Sequence, residues 1–132
     1  MGGEVIKAEQ KGRGLGVQTW QIKNKTDWMK DSSLTSLSLN AGHQDQVIKL
    51  PEGGKLFAGS DFCPIAGFEV GSMLAFQGHP EFNNDYIHYL VDSYISELDP
   101  VSKEKTSESL KLIPHSEIVG ACMVGFILHR AA

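Results

Sequence analysis

A chain of 132 residues with 41% hydrophobic and 21% charged content is long enough to bury one core and is ordinary for a globular domain. Its net charge of −4, without a cluster of Lys and Arg, lacks the electrostatic footprint of a nucleic-acid binder and offers nothing to pair with an anionic membrane surface. The two cysteines, Cys63 and Cys122, lie far apart with no Cys-x-x-Cys spacing, so no disulfide framework is expected and a reducing, cytoplasmic setting is the default. The first residues, Met1-Gly2-Gly3-Glu4, lack the basic-then-apolar pattern of a signal peptide, and the longest apolar run, residues 118–128, falls short of the ~20 residues of a membrane span. With no internal repeat, low-complexity segment or composition shift, residues 1–132 read as one unit.

In chain order, Lys11-Gly12-Arg13-Gly14 reads as a turn, and residues 15–22, rich in β-branched and aromatic side chains, as a strand. Residues 23–33 are polar and loop-like, with Trp28 and Met29 left either to fold back on the core as a lid or to pack locally. Alternation puts Leu37 and Leu39 on one face of a half-buried strand over 35–39, and the polar run 40–46 breaks the pattern. Pro51-Glu52-Gly53-Gly54 is a turn leading into a short strand over 55–60. Two strand-like runs, 66–70 and 73–77, flank Gly71-Ser72. A two-residue linker with Gly first signals a β-hairpin, because glycine accepts the positive φ of a tight turn.

After Pro80 the period changes. Ile87, Leu90, Val91, Tyr94, Ile95 and Leu98 recur at helical spacing, Asn83 or Asn84 stands where a cap belongs, and Asp99-Pro100 ends the helix. Residues 103–109 read as a charged connector. Pro114 and Ser116 open a last helix with Ile118, Val119, Cys122, Met123 and Phe126 on its apolar face, weakened by Gly120 and Gly125 at roughly 1 kcal/mol each relative to Ala. The order is strands, then two helices. An independent α/β domain usually opens with alternating strands and helices, and nothing before Leu15 supplies the first parallel strands. The expectation is an incomplete α/β domain whose remaining sheet leaves an apolar face and open edges exposed.

The chemistry concentrates in Ala75-Phe76-Gln77-Gly78-His79-Pro80-Glu81-Phe82, where an apolar strand runs into a loop carrying His and Glu two residues apart. The carboxyl end of a strand is where an α/β sheet places its chemistry. An imidazole there can act as general base and acid near neutral pH. A neighbouring carboxylate can take the proton of its other nitrogen, fixing the tautomer, and Pro80 stiffens the link. By itself His-x-Glu is most often a solvated loop.

Context makes it specific. Phe76-Gln77-Gly78-His79-Pro80-Glu81-Phe82 resembles the C-terminal triad motif of class I glutamine amidotransferases. His43-Gln44-Asp45-Gln46-Val47 with Leu50-Pro51-Glu52-Gly53 is similar to a His-x-Asp-x-Val and Leu-Pro-x-Gly block of the GMP-synthase-like branch. Ser60-Asp61-Phe62-Cys63-Pro64 and the hairpin Phe68-Glu69-Val70-Gly71 match that branch in order and spacing. The resemblance runs from Gly2-Gly3 to the last helix. It implies a flavodoxin-like α/β fold, here without its N-terminal strands, and a Cys-His-Glu triad that attacks the side-chain amide of glutamine. His79 would shuttle protons, Glu81 would orient it, and Gln44 and Asp45 would lie beside the substrate, although many relatives have Gly in place of Gln44. The implied partners are glutamine or a γ-glutamyl small molecule, and a missing N-terminal half or a synthetase.

The family's nucleophile sits in a Gly-x-Cys-x-Gly turn upstream of a Gly-Gly like Gly2-Gly3, and no such turn occurs in this sequence. Cys63 precedes Pro64 in a loop with no helix N-terminus to lower its pKa, and reads as packing; Cys122 reads as core. Glutamine hydrolysis by the chain alone is therefore not expected. A γ-glutamyl peptidase of the same fold and a non-catalytic remnant or binding subunit stand as alternatives. His43, Asp45, His79 and Glu81 also make two His-x-acid pairs of the kind a divalent metal takes, but nothing else supports a metal, and no cofactor is expected. His88, His115, His129, Trp20 and Trp28 read as surface or packing residues.

Overall fold

In the computed structural model, residues 2–8, 13–31 and 33–131 are described. Strand β2 (Gly14–Ile22) is the spine of a curled sheet, paired antiparallel over most of its length with β3 (Ser36–His43) and at its far end with β5 (Lys55–Gly59). β5 pairs with β6 (Gly67–Val70) and β6 with β7 (Met73–Phe76), giving the order β3-β2-β5-β6-β7. A separate ladder joins β1 (Glu4–Lys7) to β4 (Asp45–Lys49). Then follow α1 (Asn84–Tyr94), a 3-10 turn (Ile95–Glu97), α2 (Pro100–Ser109) and α3 (Ser116–Ala131). The chain is thus mixed α/β.

Alternation along β3 directs Leu37, Leu39 and Ala41 into a core shared with Trp20, Phe57, Trp28 and, from α3, Val119 and Phe126. Gly42 points the other way, where a Cβ would stand 3.2 Å from Leu90 of α1. On that side Leu15, Ile87, Val91 and Leu98 form a second, smaller core. Helices therefore cover both faces of the sheet. The expected hairpin is present, with Gly71 at φ 56 and, among the described residues, no non-glycine residue at positive φ, the pattern of a II′ turn. Asn83 caps α1 by accepting from the Tyr86 amide.

Several expectations are corrected. The polar run 40–46 does not end β3, whose pairing with β2 continues to Gly14 opposite His43, and β4 begins at Asp45. Side-chain polarity misleads there because Asn40 finds hydrogen-bond partners across the fold rather than in water. Residues 103–109 belong to helix α2, so among the described residues three α-helices form, not two. Asp99 caps α2, accepting from the amides of Val101 and Ser102, and Pro100 takes the first turn, where a missing N–H costs nothing. The buried face of α3 is narrower than expected: Val119 and Phe126 are buried, whereas Ile118 and Met123 are about two-fifths exposed. Gly125 permits a close approach, since a Cβ there would stand 2.9 Å from the Trp28 carbonyl oxygen. Trp28 and Met29 fold back into the main core rather than packing locally, Trp28 meeting Phe57 and Phe126 edge-on at 5.3 and 5.7 Å. The turn expected at residues 11–14 lies partly outside the described residues, and Gly14 already belongs to β2.

The sheet itself is not bare. Among the described residues, Met73 alone of the large exposed apolar side chains lies in the five-stranded sheet; Val124, Ile127 and Leu128 line the outer face of α3, and Ile113 precedes it at 83% exposure. The outer edge of β3 is occupied in part: His115 donates its amide to the Ser38 carbonyl (2.7 Å) and accepts the Ser38 amide at Nδ1 (3.2 Å). No helix among the described residues is long and apolar enough to cross a membrane.

Candidate active site

Curling brings the two edges of the sheet within reach of each other. Beyond β7 the Gln77 amide still donates to the Ala66 carbonyl (2.7 Å), but the next paired residue, His79, donates its amide to Asn40 of β3 at 2.8 Å. Gly78 makes this crossing feasible, because a Cβ there would stand 2.6 Å from the Trp20 ring and 2.8 Å from Leu39 Cβ. The loop thus lies directly on the core, at the carboxyl end of β7.

On this support His79 and Glu81 meet. Nδ1 of His79 lies 2.8 Å from Oε1 of Glu81, with the side chains 39% and 65% exposed. Burial alone would push the Glu81 carboxyl up, but the hydrogen bond from His79, its own backbone amide and the His79 charge outweigh it, and the net shift is downward. With Nδ1 turned to the carboxylate, Nε2 is the nitrogen left to exchange a proton with a reacting group. The Phe82 ring lies parallel to the imidazole at 4.0 Å and is itself met edge-on by Tyr86 at 4.6 Å. A cleft of about 720 Å³ opens beside Glu81, walled by Asn40, Phe82, Ile113 and Ile118.

Gln44 and Asp45 take other positions. Gln44 sits in the turn between β3 and β4, where its amide oxygen, in the orientation that satisfies both groups, accepts from Arg13 Nε (3.2 Å) and Nη2 (2.9 Å). Arg13 also pairs with Glu97 at 2.7 Å and covers the Tyr94 ring at 4.3 Å. The Asp45 side chain is exposed. Neither shares a hydrogen bond with His79 or Glu81 among the described residues.

His43, weighed in the sequence only as one of four possible metal ligands, has electrostatics tied to His79. Its Nδ1 donates to the Asp45 carbonyl (3.2 Å), and its Nε2 is buried without a hydrogen-bond partner. The ring lies over Gly14, where a Cβ would stand 2.2 Å from Nε2. Burial lowers the His43 pKa; the Asp45 carbonyl opposes this, and the charge of His79 adds to the lowering. The signal available in the sequence was the same His-x-acid spacing that marked His79.

The four residues His43, Asp45, His79 and Glu81 do not converge: among the described residues no group of three or more His, Cys, Asp or Glu is placed to hold a metal. Cys63 is fully buried, with Sγ 3.8 Å from the Ile65 carbonyl oxygen and 3.9 Å from Gln77 Oε1, a packing position. Burial pushes the Cys122 thiol up, and the charge of Asp31 acts in the same direction, the reverse of what a nucleophile needs.

No protein-family model matches the sequence. Individual relatives do. Gamma-glutamyl peptidase 3 of Arabidopsis thaliana is 31% identical over 101 residues, spanning 72% of this chain and 40% of that protein. A glutamine-hydrolysing GMP synthase of Polynucleobacter necessarius is 27% identical over 159 aligned positions, spanning 99% of this chain and 30% of that protein. The crystal structure of a glutamine amidotransferase from Thermotoga maritima superposes with a TM-score of 0.66 at 19% identity, covering 98% of this chain and 54% of that one, which establishes the flavodoxin-like fold. The chain accordingly spans less than half the length of these curated relatives. With the fold, the motif order and these relatives in agreement, the chain belongs to the class I glutamine amidotransferase family.

Proposed function

We propose that His79 and Glu81 are two members of a Cys-His-Glu triad acting on a γ-glutamyl amide, with the cysteine supplied by residues other than these 132. The hydrogen bond between His79 Nδ1 and Glu81 Oε1 at 2.8 Å carries this reading. In such a triad the thiolate attacks the side-chain carbonyl carbon and the C–N bond breaks. His79, protonated at Nε2, gives its proton to the leaving nitrogen, so that ammonia or an amine departs and a glutamyl thioester remains. His79 then takes a proton from water, which attacks the thioester and releases glutamate and the thiolate. Glu81 holds the Nδ1 proton throughout, fixing the tautomer and stabilising the imidazolium. Gln44 and Asp45 are proposed to border the substrate.

The chain in this reading is the C-terminal portion of a cytoplasmic amidotransferase domain, completed by a further half that carries the thiolate and working with a synthetase that consumes the ammonia. A γ-glutamyl peptidase is the second reading, favoured by one observation: the Arabidopsis peptidase is 31% identical, the GMP synthase 27%. The decisive assay uses the protein expressed with any coding sequence in frame upstream of Met1, comparing ammonia release from glutamine with cleavage of γ-glutamyl dipeptides. Preference for free glutamine supports the amidotransferase, and preference for the dipeptide supports the peptidase. A clean upstream stop, with neither activity in the chain, would leave a binding subunit or one half of a split enzyme.

A further inference from the structure

We propose that Phe82 and Asn40 are positioning residues for His79, Phe82 fixing the plane of the imidazole and Asn40 fixing the backbone on either side of it. The inference rests on the reading of His79 as the proton carrier. A hydrogen bond to Glu81 cannot by itself orient the ring, because both partners are well exposed and water competes for each. One contact also leaves the ring free to swing about the Nδ1–carboxylate direction. A second contact from a different direction removes that freedom.

Phe82 supplies it. The two ring planes are within 3° of parallel and their centroids are 4.0 Å apart, so the phenyl lies flat against one face of the imidazole while Glu81 holds an edge. The phenyl is braced in turn, Tyr86 of α1 meeting it edge-on at 4.6 Å and 79°. Its negative face also lies against the ring that bears positive charge during proton transfer, a cation–π geometry.

Asn40 connects this arrangement to the sheet. It is 1% exposed, an unusual burial for Asn, and although its Oδ1 finds no hydrogen-bond partner, its carbonyl and its Nδ2 do. Its carbonyl accepts the His79 amide at 2.8 Å, and its side-chain amide donates to the Phe82 carbonyl at 2.8 Å. The Phe82 amide returns toward the His79 carbonyl at 3.3 Å. One buried residue of β3 therefore sets the separation of the two stacked residues. A spacing of three residues, His79 to Phe82, is what lets both rings stand side by side across the turn.

The test is nuclear magnetic resonance of the full chain, following the ring nitrogens and ring protons of His79. In the unaltered chain we expect the Nδ1-protonated tautomer and ring protons moved upfield by the phenyl. Phe82→Leu is expected to abolish the upfield shift and mix the two neutral tautomers while distant amide resonances stay in place, and Phe82→Tyr to restore both. Asn40→Asp, which keeps the size but loses the donor to the Phe82 carbonyl, is expected to weaken both signatures. Unshifted ring protons in the unaltered chain, or a Phe82→Leu chain with tautomer and shifts intact, would overturn the proposal. The unaltered spectrum decides even where Phe82→Leu fails to fold. No turnover enters the readout, so an oriented His79 together with no γ-glutamyl hydrolysis by the cysteine-bearing protein would sink the functional reading and leave this one standing.

Discussion

His43-Gln44-Asp45 and His79-Pro80-Glu81 have the same spacing of an imidazole and a carboxylate, yet they fold into opposite arrangements. At 79–81 the carboxylate reaches the imidazole edge at 2.8 Å. At 43–45 the imidazole donates to the backbone carbonyl of Asp45 instead, and the Asp45 carboxylate faces solvent. The backbone makes the difference. His43 closes β3 and Asp45 opens β4, so the chain is extended on both sides of Gln44. Pro80 and Glu81 lie in a turn pinned by the bond from the His79 amide to Asn40, and a turn is what folds a side chain back on its neighbour two residues away. A His-x-acid pattern therefore specifies a pair only where the backbone bends between its members.

The largest expected effect separates the two imidazoles. In a complete, active protein, His79→Asn is expected to lower kcat by about 10²–10⁴-fold, the usual contribution of a general acid–base. His43→Asn should cost far less, because His43 spends Nδ1 on a backbone carbonyl and has no outward nitrogen to exchange a proton. Steady-state kinetics of both variants checks this, and equal losses would break the comparison. The carboxylates follow. Glu81→Gln is expected to cost on the order of 10²-fold in kcat by replacing the carboxylate that fixes the tautomer and stabilises the imidazolium with a neutral amide, and Asp45→Asn to act on KM rather than kcat.

The legibility of the fold divides along the same line. Where a residue type forces a backbone geometry, sequence and structure agree: Gly71 at φ 56 makes the hairpin, Asn83 caps α1, and β-branched and aromatic residues form β2. Where the deciding partner is distant in the chain, they part. Asn40 looks like a strand breaker until the His79 amide and Phe82 carbonyl are seen to take its backbone carbonyl and its Nδ2, leaving only Oδ1 without a partner. α2 presents no apolar stripe, burying only Thr106, and is announced solely by Asp99-Pro100, which reads equally as an end or a start. The pairing of His79 with Glu81 was legible because a short loop encodes it. The flat contact with Phe82 was not, since stacking depends on how β3 anchors the loop.

A third test uses pH. Burial holds the His43 pKa below its ordinary 6.5, so the unfolded chain binds a proton at mildly acidic pH that the folded chain refuses. Stability should fall as pH drops through about 6.5 toward the lowered folded value, and level off below it. The carboxylates of Glu81, Asp31 and Asp99, lowered in the folded state, act in a more acidic window: their contribution is present above the ordinary carboxylate pKa and is lost as pH falls through the folded values. Urea midpoints measured at pH 7.5, 6.5 and 5.5 separate the two. His43→Gln should flatten the upper window whatever it does to stability overall, and an unchanged slope would mean that the buried His43 is not what makes stability depend on pH there.

The smallest effect bears on the bend itself. Pro80→Ala frees φ at the middle of the His79–Glu81 turn, chiefly enlarging the ensemble of the unfolded chain, and is expected to lower stability by about 0.4–1 kcal/mol. Asn40 still holds the His79 amide in this variant, so the turn should persist and the ring-proton shift from Phe82 should survive. If Pro80→Ala instead dissolves the His79–Glu81 hydrogen bond while the Asn40 contacts remain, proline rather than the β3 anchor makes the bend. The contrast with His43-Gln44-Asp45 would then reduce to one residue, Pro80 against Gln44. Survival of the pair assigns the bend to long-range anchoring, and explains why the same spacing yields a catalytic-type pair at one edge of the sheet and a strand junction at the other.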